Sequence, residues 1–213
     1  MGIAQRINDI ARRVPPGVLY LLAPLPAAWW LYLGLTGGLG VEPIKELEHR
    51  LGEFALQLLI AGLCVTPLRE FFGVSLIKFR RAIGLIAFTY VVLHLLVWLV
   101  LDMSVLWEQI LRDIAKRPYI TIGMASFALL IPLALTSNNL SIRKLGPVGW
   151  RRLHKLTYVA VALGAVHFVM LTKGWQLEPL IYLTIVTALL ALRLKPRQGV
   201  MSAARLLKGR QSG

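Results

Sequence analysis

The chain switches between apolar and polar character in whole segments. Six apolar runs, near residues 17–36, 51–68, 83–101, 119–136, 153–172 and 177–194, are separated by short charged stretches. Each run has about the 20 residues a helix needs to cross a hydrocarbon core of ~30 Å. A backbone amide exposed to lipid finds no hydrogen-bond partner, so such runs must be helical. The pattern predicts an all-α membrane protein: a six-transmembrane-helix bundle over 17–194, after an N-terminal segment at 1–16 and before a basic tail at 195–213. Pro15 and Pro16 fall at the entrance of the first helix, where a missing amide hydrogen costs little, whereas Pro24, Pro26 and Pro132 fall inside runs and predict kinks. The first run continues to Thr36 with no well-placed small-residue cleavage site, which predicts a retained helix and not a removed signal peptide. No repeat, low-complexity block or long linker is visible.

Composition removes the main alternatives. Of 213 residues, 57% are hydrophobic and 16% charged, which fits neither a soluble globule nor a disordered chain. A single cysteine, Cys64, leaves no internal disulfide framework and no multi-cysteine zinc or iron–sulfur site. Lys and Arg outnumber Asp and Glu by 24 to 10, a net charge of +14. Eighteen of the basic residues lie in the N-terminal segment, the second and fourth loops and the tail, while eight of the acids lie in the other loops. Basic residues accumulate on the cytoplasmic side, so both termini are expected there, with the basic face against anionic membrane lipid and no nucleic acid required. Trp29, Trp30, Tyr32, Trp98, Trp107, Tyr119 and Trp175 fall near the other boundary, as an interfacial aromatic belt would.

The candidate chemistry lies with four histidines. An ionisable side chain inside a span is costly and marks a functional hypothesis. At 1.5 Å per residue, His94 in the third run and His167 in the fifth lie roughly 17 and 21 Å from the same face. Two nearly level imidazoles suit a haem ligated from above and below, and Gly164 and Ala87 on the same faces leave room for a macrocycle. The simpler alternative is that each ring only hydrogen-bonds a neighbouring helix. His154, at the inner end of the fifth run, is a weaker candidate ligand for a second haem, because an ideal helix places it about 140° around the axis from His167. The positions where a partner on the third helix is expected hold Arg80 and Arg81, which do not ligate iron; Cys64 is a conceivable sulfur ligand or simply packing. Arg80, Arg81, Arg151 and Arg152 suit haem propionates or another anionic cofactor, or equally serve as positive-inside anchors. His49 reads as an outer surface residue. The sequence has no G-x-G-x-x-G and only 19 residues after the last run, too few for a dinucleotide-binding domain.

Several segments together resemble one family. They are R-R-A-I-G-L-I-A-F-T-Y-V-V-L-H-L (80–95), R-P-Y-I-T-I-G (117–123), W-R-R-L-H-K-L-T-Y-V-A with H-F thirteen residues beyond its histidine, and E-P-L-I-Y (178–182). From about Gly37 to Arg193 the chain resembles MsrQ, also called YedZ, within the ferric-reductase and NADPH-oxidase-like membrane superfamily. The resemblance implies a b-type cytochrome of the bacterial inner membrane. Such a subunit passes electrons from quinol to MsrP, a periplasmic molybdopterin protein that reduces methionine sulfoxide in oxidised periplasmic proteins. It implies haem b, one or two per chain, with FMN also attributed to the family, and haem-linked histidines at His94, His154 and His167. The family's outer-side histidine near helix two matches His49. The superfamily carries two histidines on each ligand helix, whereas the third helix here has one. The expectation is therefore an electron-transfer subunit without substrate chemistry of its own. A self-contained ferric or oxygen reductase, and a cofactor-free transporter or assembly factor, are the alternatives. Glu53 and Gln57, early in helix two, either line a quinol site or face neighbouring helices.

Overall fold

The computed structural model describes residues 2–171 and 176–194, and among these there is helix and connecting turn but no strand. Trp175, Lys173 and the tail from Lys195 lie outside the described residues. Ten helices follow in order: α1 (Ile3–Arg13), α2 (Gly17–Leu22), α3 (Pro24–Leu35), α4 (Pro43–Phe72), α5 (Arg80–Leu96), α6 (Trp107–Lys116), α7 (Pro118–Leu135), α8 (Asn139–Leu153), α9 (Leu156–Leu171) and α10 (Leu177–Leu194). Four stretches, Gly17–Leu35, Pro43–Phe72, Ile77–Asp102 and Pro118–Leu135, are long and apolar enough to cross a membrane, and α8 with α9, bent by 42°, would make a fifth. At 1.5 Å per residue, the 18 residues of α10 reach about 27 Å.

Prolines and glycines set the boundaries. Pro43 and Pro118 open α4 and α7, where a missing amide hydrogen is harmless, and Gly73 closes α4 in the left-handed conformation, φ 68°. The first apolar run is broken at Ala23, just before Pro24. The fully buried Tyr90 inserts its hydroxyl there, donating to the Ala23 carbonyl at 2.6 Å and accepting from the Ala27 amide at 3.3 Å. A side chain placed between residues four apart bridges a helical ladder at a break. Tyr90→Phe is expected to lower stability by about 1–2 kcal/mol, read as an earlier thermal transition in detergent.

Pro67 lies inside α4 and supplies no amide hydrogen to the Leu63 carbonyl four residues earlier. Arg193, in the last turn of α10, donates Nη2 to that carbonyl at 2.6 Å and Nη1 to the Tyr158 hydroxyl at 3.0 Å. Its guanidinium also lies over the Tyr158 ring, 5.0 Å from the centroid. One cation thus ties α10 to α4 and α9. Arg193→Leu leaves the carbonyl without a partner and is expected to cost about 2 kcal/mol, measurable by denaturant unfolding; no change would show that the carbonyl finds another donor.

The central core joins Leu56, Leu59 and Leu63 of α4, Leu130 and Leu133 of α7, and Ala160, Val161 and Ala165 of α9, with Ala87 of α5 and Val186 of α10. Small residues at the α9 positions let the helix backbones approach closely, as membrane packing favours. A second cluster packs Tyr90 and Ile86 against Leu47, Leu51 and Ala55. Between α5 and α6 the chain makes a π-helical turn, Val97–Asp102, and Trp98 at its start is buried with Met103, Ile110 and Ile120. Two helices outside the expected runs, α1 and α6, are amphipathic, and the spacing Ile3, Ile7 and Ile10 carries that signal for α1; a third, α8, is kinked at Gly146, φ 68°.

Candidate functional site

His94 lies in the last turn of α5 and His167 near the end of α9, and the bundle brings their rings together edge to face, centroids 6.3 Å apart and planes at 76°. Each ring is held the same way. The Nδ1–H of His94 donates to the Glu48 carbonyl at 2.8 Å, and that of His167 donates to the Tyr119 carbonyl at 2.7 Å. A carbonyl only accepts, so Nδ1 must carry the proton in both rings and Nε2 keeps a lone pair. Metal–imidazole bonds of about 2 Å through Nε2 put the centres of two opposed rings about 6 Å apart. The observed pair meets that spacing.

The rings line a cavity of about 760 Å³, within the roughly 300–1,000 Å³ typical of cofactor sites. Its walls are mostly apolar, including Leu56, Val91, Trp98, Met124, Phe127 and Leu130. Its mouth carries Glu42, Lys45, Glu48, Asp102 and Arg117. Gly164 lines the cavity, whereas Ala87 packs into the core instead. Two further glycines closely approach the two imidazole rings. A Cβ on Gly52 would lie 2.9 Å from His94 Nδ1, and one on Gly123 would lie 2.9 Å from His167 Nδ1. Sequence reasoning missed both, since a glycine in a membrane helix is unremarkable until its neighbour is known. Trp98 and Tyr119 likewise belong to this site, Tyr119 with its ring 6.3 Å from that of His167.

His154 is not brought to this pair. It caps α8 at the bend before α9, stacked on Trp150 with centroids 3.8 Å apart, and its Nε2 lies 3.1 Å from the Thr136 hydroxyl. The stack on Trp150 and the contact with Thr136 hold its ring in place. Arg80, Arg81, Arg151 and Arg152 do not line the cavity; Arg81 donates to the Asn139 side chain at 2.9 Å, and Arg151 and Arg152 form the last turn of α8. Cys64 is half-buried in α4. Among the described residues no three His, Cys, Asp or Glu side chains converge on a metal-sized site.

His49 lines both the main cavity and a smaller one of about 380 Å³ bounded by Trp30, Arg50, Phe54, Gln57 and Glu178. Its ring packs on Phe168, centroids 5.4 Å apart. Glu53, shared by the two cavities, accepts hydrogen bonds from the Tyr182 hydroxyl and the Gln57 amide, both at 2.8 Å. The hydroxyl and amide are themselves 2.7 Å apart.

The model of the ferric-reductase-like transmembrane component matches residues 50–165. The chain is 54% identical over 177 residues, 83% of its length and 80% of theirs, to proteins from Brucella ovis, Brucella canis and Brucella melitensis. Each of those is named protein-methionine-sulfoxide reductase heme-binding subunit MsrQ. The chain belongs to the MsrQ family. Within this MsrQ-family chain the matched ferric-reductase-like segment holds Gly52, His94, Gly123 and His154, and His167 follows two residues after it.

Proposed function

We propose that this chain is the haem-binding membrane subunit of a protein-methionine-sulfoxide reductase and that its role is electron transfer. The carrying observation is the His94–His167 pair, with both Nδ1–H groups committed to backbone carbonyls and both Nε2 atoms left for a metal. These residues fit a haem b, which supplies a one-electron iron couple when bound. His94 and His167 would hold the group through their Nε2 atoms, and the apolar wall of Leu56, Val91, Phe127 and Leu130 would keep water from it. At the other end of the bundle, Arg80, Arg81, Arg151 and Arg152 serve anionic groups, lipid headgroups and the propionates of an inner haem, for which His154 is the candidate ligand.

In this reading residues 17–194 form six spans of a bacterial inner membrane with both termini cytoplasmic. The mouth with Glu42, Glu48 and Asp102 then faces the periplasm, where a molybdopterin-containing MsrP reduces methionine sulfoxide in oxidised proteins, and the present chain does no substrate chemistry. The electron donor is a quinol, and the smaller cavity suits it: Trp30 and Phe54 offer flat apolar faces, while Glu53 and His49 offer proton acceptors. Pyridine haemochrome analysis of purified protein, with flavin released from the same sample, tests the reading by counting cofactors. Protein that stays colourless when expressed with ample haem would overturn it.

A further inference from the structure

His94 and His167 share one supporting device, used twice. In each case the imidazole Nδ1–H reaches a carbonyl on the preceding long helix, and the residue four positions after that carbonyl is glycine: Glu48 with Gly52, Tyr119 with Gly123. The chain separations between carbonyl and histidine are nearly equal, 46 and 48 residues. Residues four apart lie one above the other on a helix, so the ring that reaches the carbonyl must lie over the glycine. A Cβ at Gly52 would stand 2.9 Å from Nδ1 and 3.1 Å from Cε1, and at Gly123 2.9 and 3.0 Å. Other helical glycines show nothing so close: Gly164 would meet Ser126 Oγ at 3.6 Å, Gly62 would meet Ile83 Cγ2 at 3.8 Å, and Gly84 meets nothing within 4 Å. A carbonyl has two lone pairs, so it accepts from the ring while keeping its helical donor.

We infer that Gly52 and Gly123 are positioning residues which, by leaving their Cβ positions empty, let the Glu48 and Tyr119 carbonyls hold both imidazoles as Nε2 ligands and set the potential of the bound haem. A carbonyl drawing on Nδ1–H makes the imidazole a stronger donor, which favours the oxidised metal and lowers the potential. An added methyl cannot be met by a flexible tip moving aside, because the obstructed atoms belong to the anchored ring. The ring must turn or retreat, and the hydrogen bond weakens. Small residues that serve only helix packing would not act on the metal in this way.

The inference rests on the haem reading above. The test compares full-length Gly52→Ala, Gly123→Ala and Gly62→Ala with wild type by haem content, redox titration and electron paramagnetic resonance of the oxidised protein. Each of the first two is expected to shift the midpoint potential upward and alter the low-spin signal, while Gly62→Ala, on the same helix as Gly52, matches wild type. Wild-type protein without haem defeats the haem reading; wild type with haem, and variants at the wild-type potential and spectrum, defeat this inference alone. Should an alanine variant not accumulate, wild type decides: with nitrogen-15 histidine in the reduced protein, both Nδ1 protons are expected to resist exchange with solvent. Rapidly exchanging Nδ1 protons, or protons on Nε2, would overturn the device.

Discussion

Replacing His94 or His167 with alanine is expected to lower haem content more than about tenfold, since even outer-shell partners of a metal ligand are typically worth 10–100-fold in affinity. The two rings oppose each other at 6.3 Å, so removing either leaves a single imidazole facing an apolar wall. The fold should survive, because each ring contacts the cavity and one backbone carbonyl, while the core residues Leu63, Ala160 and Val161 do not line the cavity. His154→Ala is the informative companion. Its ring rests on Trp150 and Thr136, away from the cavity, so a haem bound between His94 and His167, as proposed, should persist. If a second equivalent is bound, only that one should fall. Wild-type haem content in folded His94→Ala and His167→Ala proteins would falsify the assignment.

The second large effect concerns electron entry. Glu53→Gln is expected to slow reduction by a soluble hydroquinone by 10²-fold or more, roughly the contribution of a positioned general base. The carboxylate is held by the Tyr182 hydroxyl and the Gln57 amide, and it faces both cavities. Tyr182→Phe keeps the ring that packs on Phe168 at 5.7 Å and removes only the hydroxyl, so a smaller loss is expected. Reduction by dithionite, which needs no bound hydroxyl donor, should be unchanged in both. Equal slowing with hydroquinone and dithionite would mean that the substitutions damaged the haem site and not a donor site.

Helix boundaries were legible where chemistry is local. The run expected at 119–136 is α7 at Pro118–Leu135, and the run at 177–194 is α10, because apolar length and a starting proline act within the segment itself. The amphipathic helices α1 and α6 escaped a reading tuned to long apolar runs, although Ile3, Ile7 and Ile10 carry the period. Trp98 and Tyr119 looked like boundary aromatics and instead belong to the cavity, since the π-helical turn after α5 and the start of α7 point them inward. Gly52 had no local signal, and Gly123 stood out only as the last residue of the segment 117–123.

From residue order alone come the all-helical membrane character, the family, and the near-equal depth of two histidines, because hydropathy, motif and helical rise are properties of one segment at a time. Azimuth and partnership are not. Which way a ring turns, which carbonyl receives its proton and which glycine makes way for it depend on how α4 meets α5 and how α7 meets α9. These contacts join residues 46 and 48 positions apart, and only the folded bundle brings them within hydrogen-bond reach.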